Sequence, residues 1–182
     1  MTISLEDLHR AIGRVVYEWA HLEDGVDALV FDLAAILTRA FYDERGAGLA
    51  YMLLTSNLDL RANIATAKAL ALQAAEDLPD LFVELDPVLN NIEGELRNER
   101  NRFVHDRWII LNEKIVRVKA GSKISRERGS GQHRLDIGTI KEFAQLSEVE
   151  SVADHIAETR HAIFRFQDQL QEAYRQKFPP EE

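Results

Sequence analysis

The sequence predicts a mainly α-helical protein: a bundle of about four long helices with a small β-hairpin inserted before the last one. Three observations carry this. Leu5, Leu8, Ile12, Val15, Trp19, Leu22, Val26, Leu29, Leu33 and Ile36 recur at alternating spacings of three and four, the apolar seam of a helix held for several heptads. The period drops to two over Trp108–Leu111 and again over Lys114–Lys119, where β-branched residues cluster, which is strand patterning. The composition is ordinary globular usage, 46% apolar and 29% charged over 182 residues, so one domain spanning 1–182 is expected, with 108–138 as an insertion within it.

Taken in order, Ser4 followed by Asp7 reads as a capping-box start, and the first helix is expected from about Leu5 to Arg39 or Phe41. Gly13 and Gly25 sit inside it at a cost of about 1 kcal/mol each relative to Ala, and offer places where another helix can approach. So long a seam exceeds what one domain of this size usually buries, which predicts that it continues into a second subunit. Asp43–Gly48 breaks the pattern and a short apolar piece, Leu49–Leu54, follows. A second helix is expected from a cap at Asn57 to about Ala75, with the small-residue face Leu60, Ile64, Ala67, Ala71 and Ala74. Asp86-Pro87 is a cap and first-turn pair that opens a helix running to about His105; in the alternative, Pro87 kinks a helix that starts near Asp80. The hairpin then turns at Asn112-Glu113. Gly121–Gln132 has loop composition, and His133–Ile137 is a candidate third strand. Thr139 with Glu142 reads as a second capping box, and a final helix is expected from about Glu148 to Gln176.

Charge is concentrated. The net formal charge is −9, yet the window Arg97–Arg134 holds eleven Lys or Arg against four acids, a local +7, which leaves −16 on the rest. An acidic body therefore carries one basic island, and local potential matters more to a polyanion than the global sum because the Debye length is about 8 Å at physiological salt. Arg102, Arg107, Lys123, Arg126 and Arg128 are the candidate RNA contacts; the same charges also fit a solvated hairpin and loop. The absence of Cys excludes disulfides, thiolate metal sites and a Cys nucleophile. No apolar run is long enough for a membrane span and the N-terminus lacks a secretory pattern, so the expectation is a cytoplasmic protein without membrane contact.

The chemistry-bearing segment is Glu93–Trp108, EGELRNERNRFVHDRW. Leu89, Ile92, Leu96 and Phe103 fall on one helix face and should meet the core. Arg97, Asn101 and His105 follow at four-residue steps on a second stripe. Arg100 and His105, five apart, point about 140° apart on an ideal helix and meet only if the helix end changes course. A guanidinium matches phosphate with a forked donor set, an imidazole exchanges protons at cellular pH, and an Asn can fix an imidazole or hold a phosphate oxygen. The set suits cleavage of a phosphodiester in which a neighbouring 2′-hydroxyl is the nucleophile, with no metal and no cofactor; the six His show no metal-site spacing. Each residue also has a structural reading. His105 can serve as a helix C-cap favoured by the macrodipole, and Arg100 as an ion-pair partner. Glu23 can pair with Arg97 or Arg100 or sit at the surface, and Trp19 and Trp108 suit core or interface better than base stacking.

Arg100-Asn101-Arg102-Phe103-Val104-His105 resembles the R-N-x-x-x-H form of the Arg-x(4–6)-His motif of the HEPN superfamily. Its place near the end of a penultimate long helix is also similar, and Trp19-Ala20-His21-Leu22-Glu23 looks like the first helix of HEPN-like bacterial proteins. The resemblance implies an up-down helical bundle and a homodimer in which the two motif helices meet at a composite cleft. It implies metal-independent endoribonuclease activity of the toxin or defence kind, with Arg100, Asn101 and His105 catalytic and an antitoxin among the partners. In that scheme Arg100 stabilises the phosphorane, Asn101 positions substrate or imidazole, and His105 is the acid/base, with Glu23 and Arg97 as supporting partners. Superfamily members that have lost catalysis imply the alternative, a non-catalytic helical dimer that binds protein or nucleic acid.

Overall fold

Helix α1 starts where Ser4 and Asp7 cap each other: the Asp7 N–H donates to Ser4 Oγ at 3.1 Å, and the Ser4 N–H and hydroxyl donate to Asp7 Oδ2 at 3.3 and 2.6 Å. These bonds hold the Asp7 carboxyl below its usual range. The computed structural model describes residues 4–38, 59–74, 78–111, 114–126 and 133–177. In chain order the elements are α1 (Leu5–Thr38), α2 (Leu60–Ala74), α3 (Pro79–Asn91), a π-helical turn (Ile92–Leu96) and α4 (Arg97–Val104). The strands β1 (Arg107–Leu111), β2 (Lys114–Arg126) and β3 (His133–Ala144) follow, then α5 (Leu146–Lys177). The protein is thus mainly helical, with the β insertion before the last helix.

Partner pairs set the directions. Arg14 meets Asp154 and Gly25 meets Ile163 and Phe164, so α5 runs alongside α1 in the same sense. Arg61 pairs with Glu93 and Lys68 with Asp86, while Arg102 meets Glu148 and Glu99 meets His155, so the continuous α3–π–α4 rod runs against both α2 and α5. The Gly25 position, where an added Cβ would lie 3.5 Å from Ile163 and Phe164, is the close approach that its small size suggests.

The seam of α1 is covered within this one chain. Leu8, Val15, Leu22, Val26, Leu29 and Leu33 are fully buried within this one chain, and Trp19 and Ile36 nearly so. The expectation of a seam in surplus fails because α2 and α5 flank α1 on two sides and the rod closes a third, burying a stripe that a smaller bundle would leave open.

The α3–π–α4 rod takes the alternative course at Pro87. Helix begins at Pro79, with Pro in its first turn, and Pro87 lies inside it. An interior Pro costs roughly 3 kcal/mol. Leu81, Leu85, Leu89, Ile92 and Leu96 form an unbroken buried stripe past it, and at roughly 1.5–3 kcal/mol each their burial outweighs the lost bond. Helix α2 starts at Leu60, with Asp59 capping it through the Ala62 N–H at 2.9 Å. The expected cap Asn57, the 43–48 break and the 49–54 apolar piece lie outside the described residues.

The insertion is larger than its composition suggests: a three-stranded antiparallel meander in the order β1-β2-β3. Gly121–Arg126, expected as loop, continues β2, and Thr139–Glu142, expected as a capping box, lies within β3. The reason is cross-strand pairing at long range. Ile124 stands opposite Leu135, Ser122 opposite Ile137, and Gly121 opposite Gly138, so backbone bonding carries a polar, Gly-containing stretch that local propensity would release. The helix cap moves accordingly to the turn at Gln145, where the Glu148 N–H reaches the Gln145 carbonyl at 3.1 Å.

Asp32 is an ionisable group buried in the α1–α5 interface without a cationic partner among the described residues. Asp32 is 6% exposed, and burial pushes its carboxyl up to about 6 from 3.8, with a hydrogen bond from Gln167 opposing. A folded-state value above the unfolded one means that its favourable contribution is complete below about pH 3.8 and is lost as pH rises through about 6. The loss amounts to as much as roughly 3 kcal/mol. Asp32→Asn is therefore expected to raise the melting temperature at pH 7.5 and to leave it nearly unchanged at pH 4; an equal shift at both pH values would contradict the assignment.

Candidate active site

The segment after the π turn ends as a helix at Val104. His105 takes the cap position with φ −99° and ψ −14°, its N–H still bonded to the Asn101 carbonyl. The chain then turns into β1, and Trp108 latches that turn. Its indole N–H donates to the Phe103 carbonyl at 3.0 Å and its ring stacks on Phe103 with centroids 5.3 Å apart. A carbonyl left without a helical partner is thus satisfied, and the direction in which His105 leaves the helix is fixed. Trp108 packs against the core here, one of the two roles its residue type suggests.

That exit brings Arg100 and His105 together. Arg100 Nη1 lies 2.8 Å from His105 Nε2 and donates to Asn101 Oδ1 at 3.0 Å. The 140° separation on an ideal wheel is closed by the reach of the Arg side chain and by the cap conformation of His105. A guanidinium has only donors, so in this contact Nε2 is the acceptor, which assigns the tautomer with its hydrogen on Nδ1. The Arg100 guanidinium lies over the Trp19 ring at 5.6 Å, a cation–π contact. Its Nε is buried and makes no hydrogen bond among the described residues.

Trp19 has a second role. Although 4% exposed, it donates its indole N–H to Glu23 Oε1 at 2.7 Å. One buried ring therefore supports Arg100 with its π face and orients Glu23 with its edge. Of the two readings open for Glu23, pairing with Arg97 or Arg100 is not found among the described residues; the side chain is half-buried and accepts the indole bond instead.

These side chains line a cavity of about 300 Å³, walled also by Asp59, Leu60, Arg61, Ile64, Glu93 and Arg97. Its charges balance on paper, three Arg against three acids, but they are not equally engaged. Arg61 pairs with Glu93 at 2.8 Å and Asp59 caps α2. Arg97, Arg100, Glu23 and Asp59 have no ion pair among the described residues, so the cavity offers two guanidinium groups, one imidazole and the carboxylates of Glu23 and Asp59, the latter bound through one oxygen to the start of α2. Among the described residues no three His, Cys, Asp or Glu side chains gather as a metal-binding group. No protein-family model, curated protein or solved structure matches the chain.

The remaining candidates fall elsewhere. Arg102 lies on the opposite face of α4, 4.0 Å from Glu148 at the start of α5. Arg107 is exposed at the first position of β1, Lys123 and Arg126 lie on β2, and Arg128 is outside the described residues. Part of the basic island is spent internally, since Arg117 pairs with Asp106. Asp59, Arg61 and Glu93 were not singled out from sequence. Glu93 shares the four-residue stripe with Arg97 and Asn101 and could have been found from it; Asp59 and Arg61 come from a helix start that only tertiary packing brings here.

Long-range nitrogen–proton NMR at pH 8.5 is expected to show His105 as the Nδ1–H tautomer. Arg100→Ala should reduce that tautomer's share, and a dominant Nε2–H tautomer in the wild-type protein would contradict the described contact.

Proposed function

We propose that this protein is a metal-independent endoribonuclease of HEPN type, acting as a cytoplasmic homodimer in a toxin or defence setting, with Arg100, Asn101 and His105 as its catalytic group. The observation that carries the proposal is the 2.8 Å contact between Arg100 Nη1 and His105 Nε2 at the wall of an open cavity. It joins the two groups that a 2′-hydroxyl attack on phosphorus needs. In this reading two copies pair across the Arg97–His105 face, which carries the cavity.

The reaction follows from the donor set. An RNA phosphate entering the cavity draws the Arg100 donors to its oxygens and frees His105 Nε2. Nε2 takes the proton of the adjacent 2′-hydroxyl as that oxygen bonds to phosphorus. Arg100 holds the charge on the phosphorane oxygens, steadied from below by Trp19 and from the side by Asn101. The bond to the 5′-oxygen breaks and that oxygen takes the proton back from the imidazolium, leaving a 2′,3′-cyclic phosphate and a 5′-hydroxyl. An acid/base group of this kind contributes about 10²–10⁴-fold, and a positioned cation on the developing charge about 10²–10³-fold.

The expected result is cleavage of RNA in EDTA, cyclic-phosphate ends, no cleavage of DNA, and loss of roughly 10²-fold or more in folded Arg100→Ala and His105→Ala variants. Cleavage retained in both variants would remove the proposal. Salt-sensitive RNA binding without cleavage would instead support the non-catalytic dimer.

A further inference from the structure

A pocket built only to hold phosphate has no use for carboxylates, yet Glu23, Asp59 and Glu93 all line this one. Two of them are engaged, Glu93 with Arg61 and Asp59 with the start of α2. Glu23 is different. It is half-buried, it has no cationic partner among the described residues, and its Oε1 is held at 2.7 Å by the Trp19 indole. An oriented carboxylate without a counter-ion, facing a cavity that takes a polyanion, must meet hydrogen-bond donors on the ligand. On an RNA nucleotide the donors are the ribose hydroxyls and the base; the 2′-hydroxyl gives its proton to His105 in the proposed reaction, which leaves the base for Glu23.

We propose that the cavity is a guanine-recognition site in which Glu23 accepts the N1–H and N2–H of the base while Arg97 donates to its O6 and N7. The inference rests on the ribonuclease reading for the position of the scissile phosphate and adds the identity of the base beside it. Guanine presents two adjacent donors on its pairing edge, which a carboxylate accepts as a fork. Adenine and cytosine offer one donor next to an acceptor that a carboxylate repels, and uracil offers one donor between two carbonyls. Arg is the common partner of guanine O6 and N7, and Arg97 is exposed, lines the same cavity and carries no ion pair among the described residues. The cavity, about 300 Å³, lies at the small end of ligand sites and suits one nucleotide rather than a strand. A site that hydrogen-bonds a ligand N–H discriminates strongly against an analogue lacking it, because its own polar group is then left unpaired.

The test is calorimetric titration of the full chain with guanosine, inosine and adenosine 3′-monophosphates, together with cleavage of RNA oligonucleotides that contain a single G, A, C or U. Inosine keeps N1–H and lacks the N2 amino group. The expected order is guanosine over inosine over adenosine, with at least about tenfold between the first and the last, and cleavage concentrated beside G. Glu23→Gln keeps the acceptor for the Trp19 indole but loses the charge and one acceptor; in a variant shown to be folded by its melting curve, the preference for guanosine over adenosine should collapse. Equal binding of the three nucleotides, or a guanosine preference that survives Glu23→Gln, would overturn the inference. The two readings separate cleanly. Selective guanosine binding without RNA cleavage removes the ribonuclease and keeps the base site, whereas cleavage beside all four bases alike removes the base site and keeps the ribonuclease.

Discussion

Everything in this structure leans on one side of one helix. The apolar stripe of α1 is buried from Leu8 to Ile36, and the other long elements take their positions from it. Trp19 sits in the middle of that stripe. It is at once a core residue, the surface over which Arg100 lies, and the donor that orients Glu23. The packing that stabilises the bundle therefore also sets the geometry of the cavity. Roughly 1.5–3 kcal/mol per fully buried large apolar side chain, repeated along the stripe, holds in place a polar cluster that could not organise itself on a solvated surface.

The second constraint is where the α3–π–α4 rod stops. If helix continued past Val104, Arg100 and His105 would diverge. The cap conformation at His105 and the Trp108 latch on the Phe103 carbonyl end the helix one residue before the imidazole, and the long Arg side chain spans the rest. A π-helical turn lies immediately ahead of Arg97, and such turns recur at functional sites; here it carries Glu93 into the cavity wall. The β insertion follows at once, and its first strand carries the Trp108 latch.

Much of this was legible in the sequence, and the reasons differ by element. The period of α1 and the Ser4–Asp7 cap are local and strong, and both stand as read. The R-N-x-x-x-H segment pointed to residues that the fold brings to one cavity, although the wheel placed Arg100 and His105 apart, because a wheel knows Cβ directions and not side-chain length or cap geometry. Thr139 with Glu142 misled, since a capping signature four residues long is cheap by chance and long-range strand pairing overrode it. The supposed surplus of the α1 seam misled for a similar reason: counting apolar residues on one helix says nothing of how many neighbours will cover it. Asp59 and Arg61 carried no signal at all, because only the packing of α2 against the rod brings them to the cavity.

The central claim is that Arg100 and His105 act as a unit. A double-mutant cycle on kcat/KM for RNA cleavage tests it most directly. Groups that work together lose most of their effect when either is removed, so the Arg100→Ala/His105→Ala protein is expected to be no more than roughly threefold slower than the slower single variant. A double variant slowed by the full product of the two single losses would show two independent side chains that merely sit close, and the account would fail.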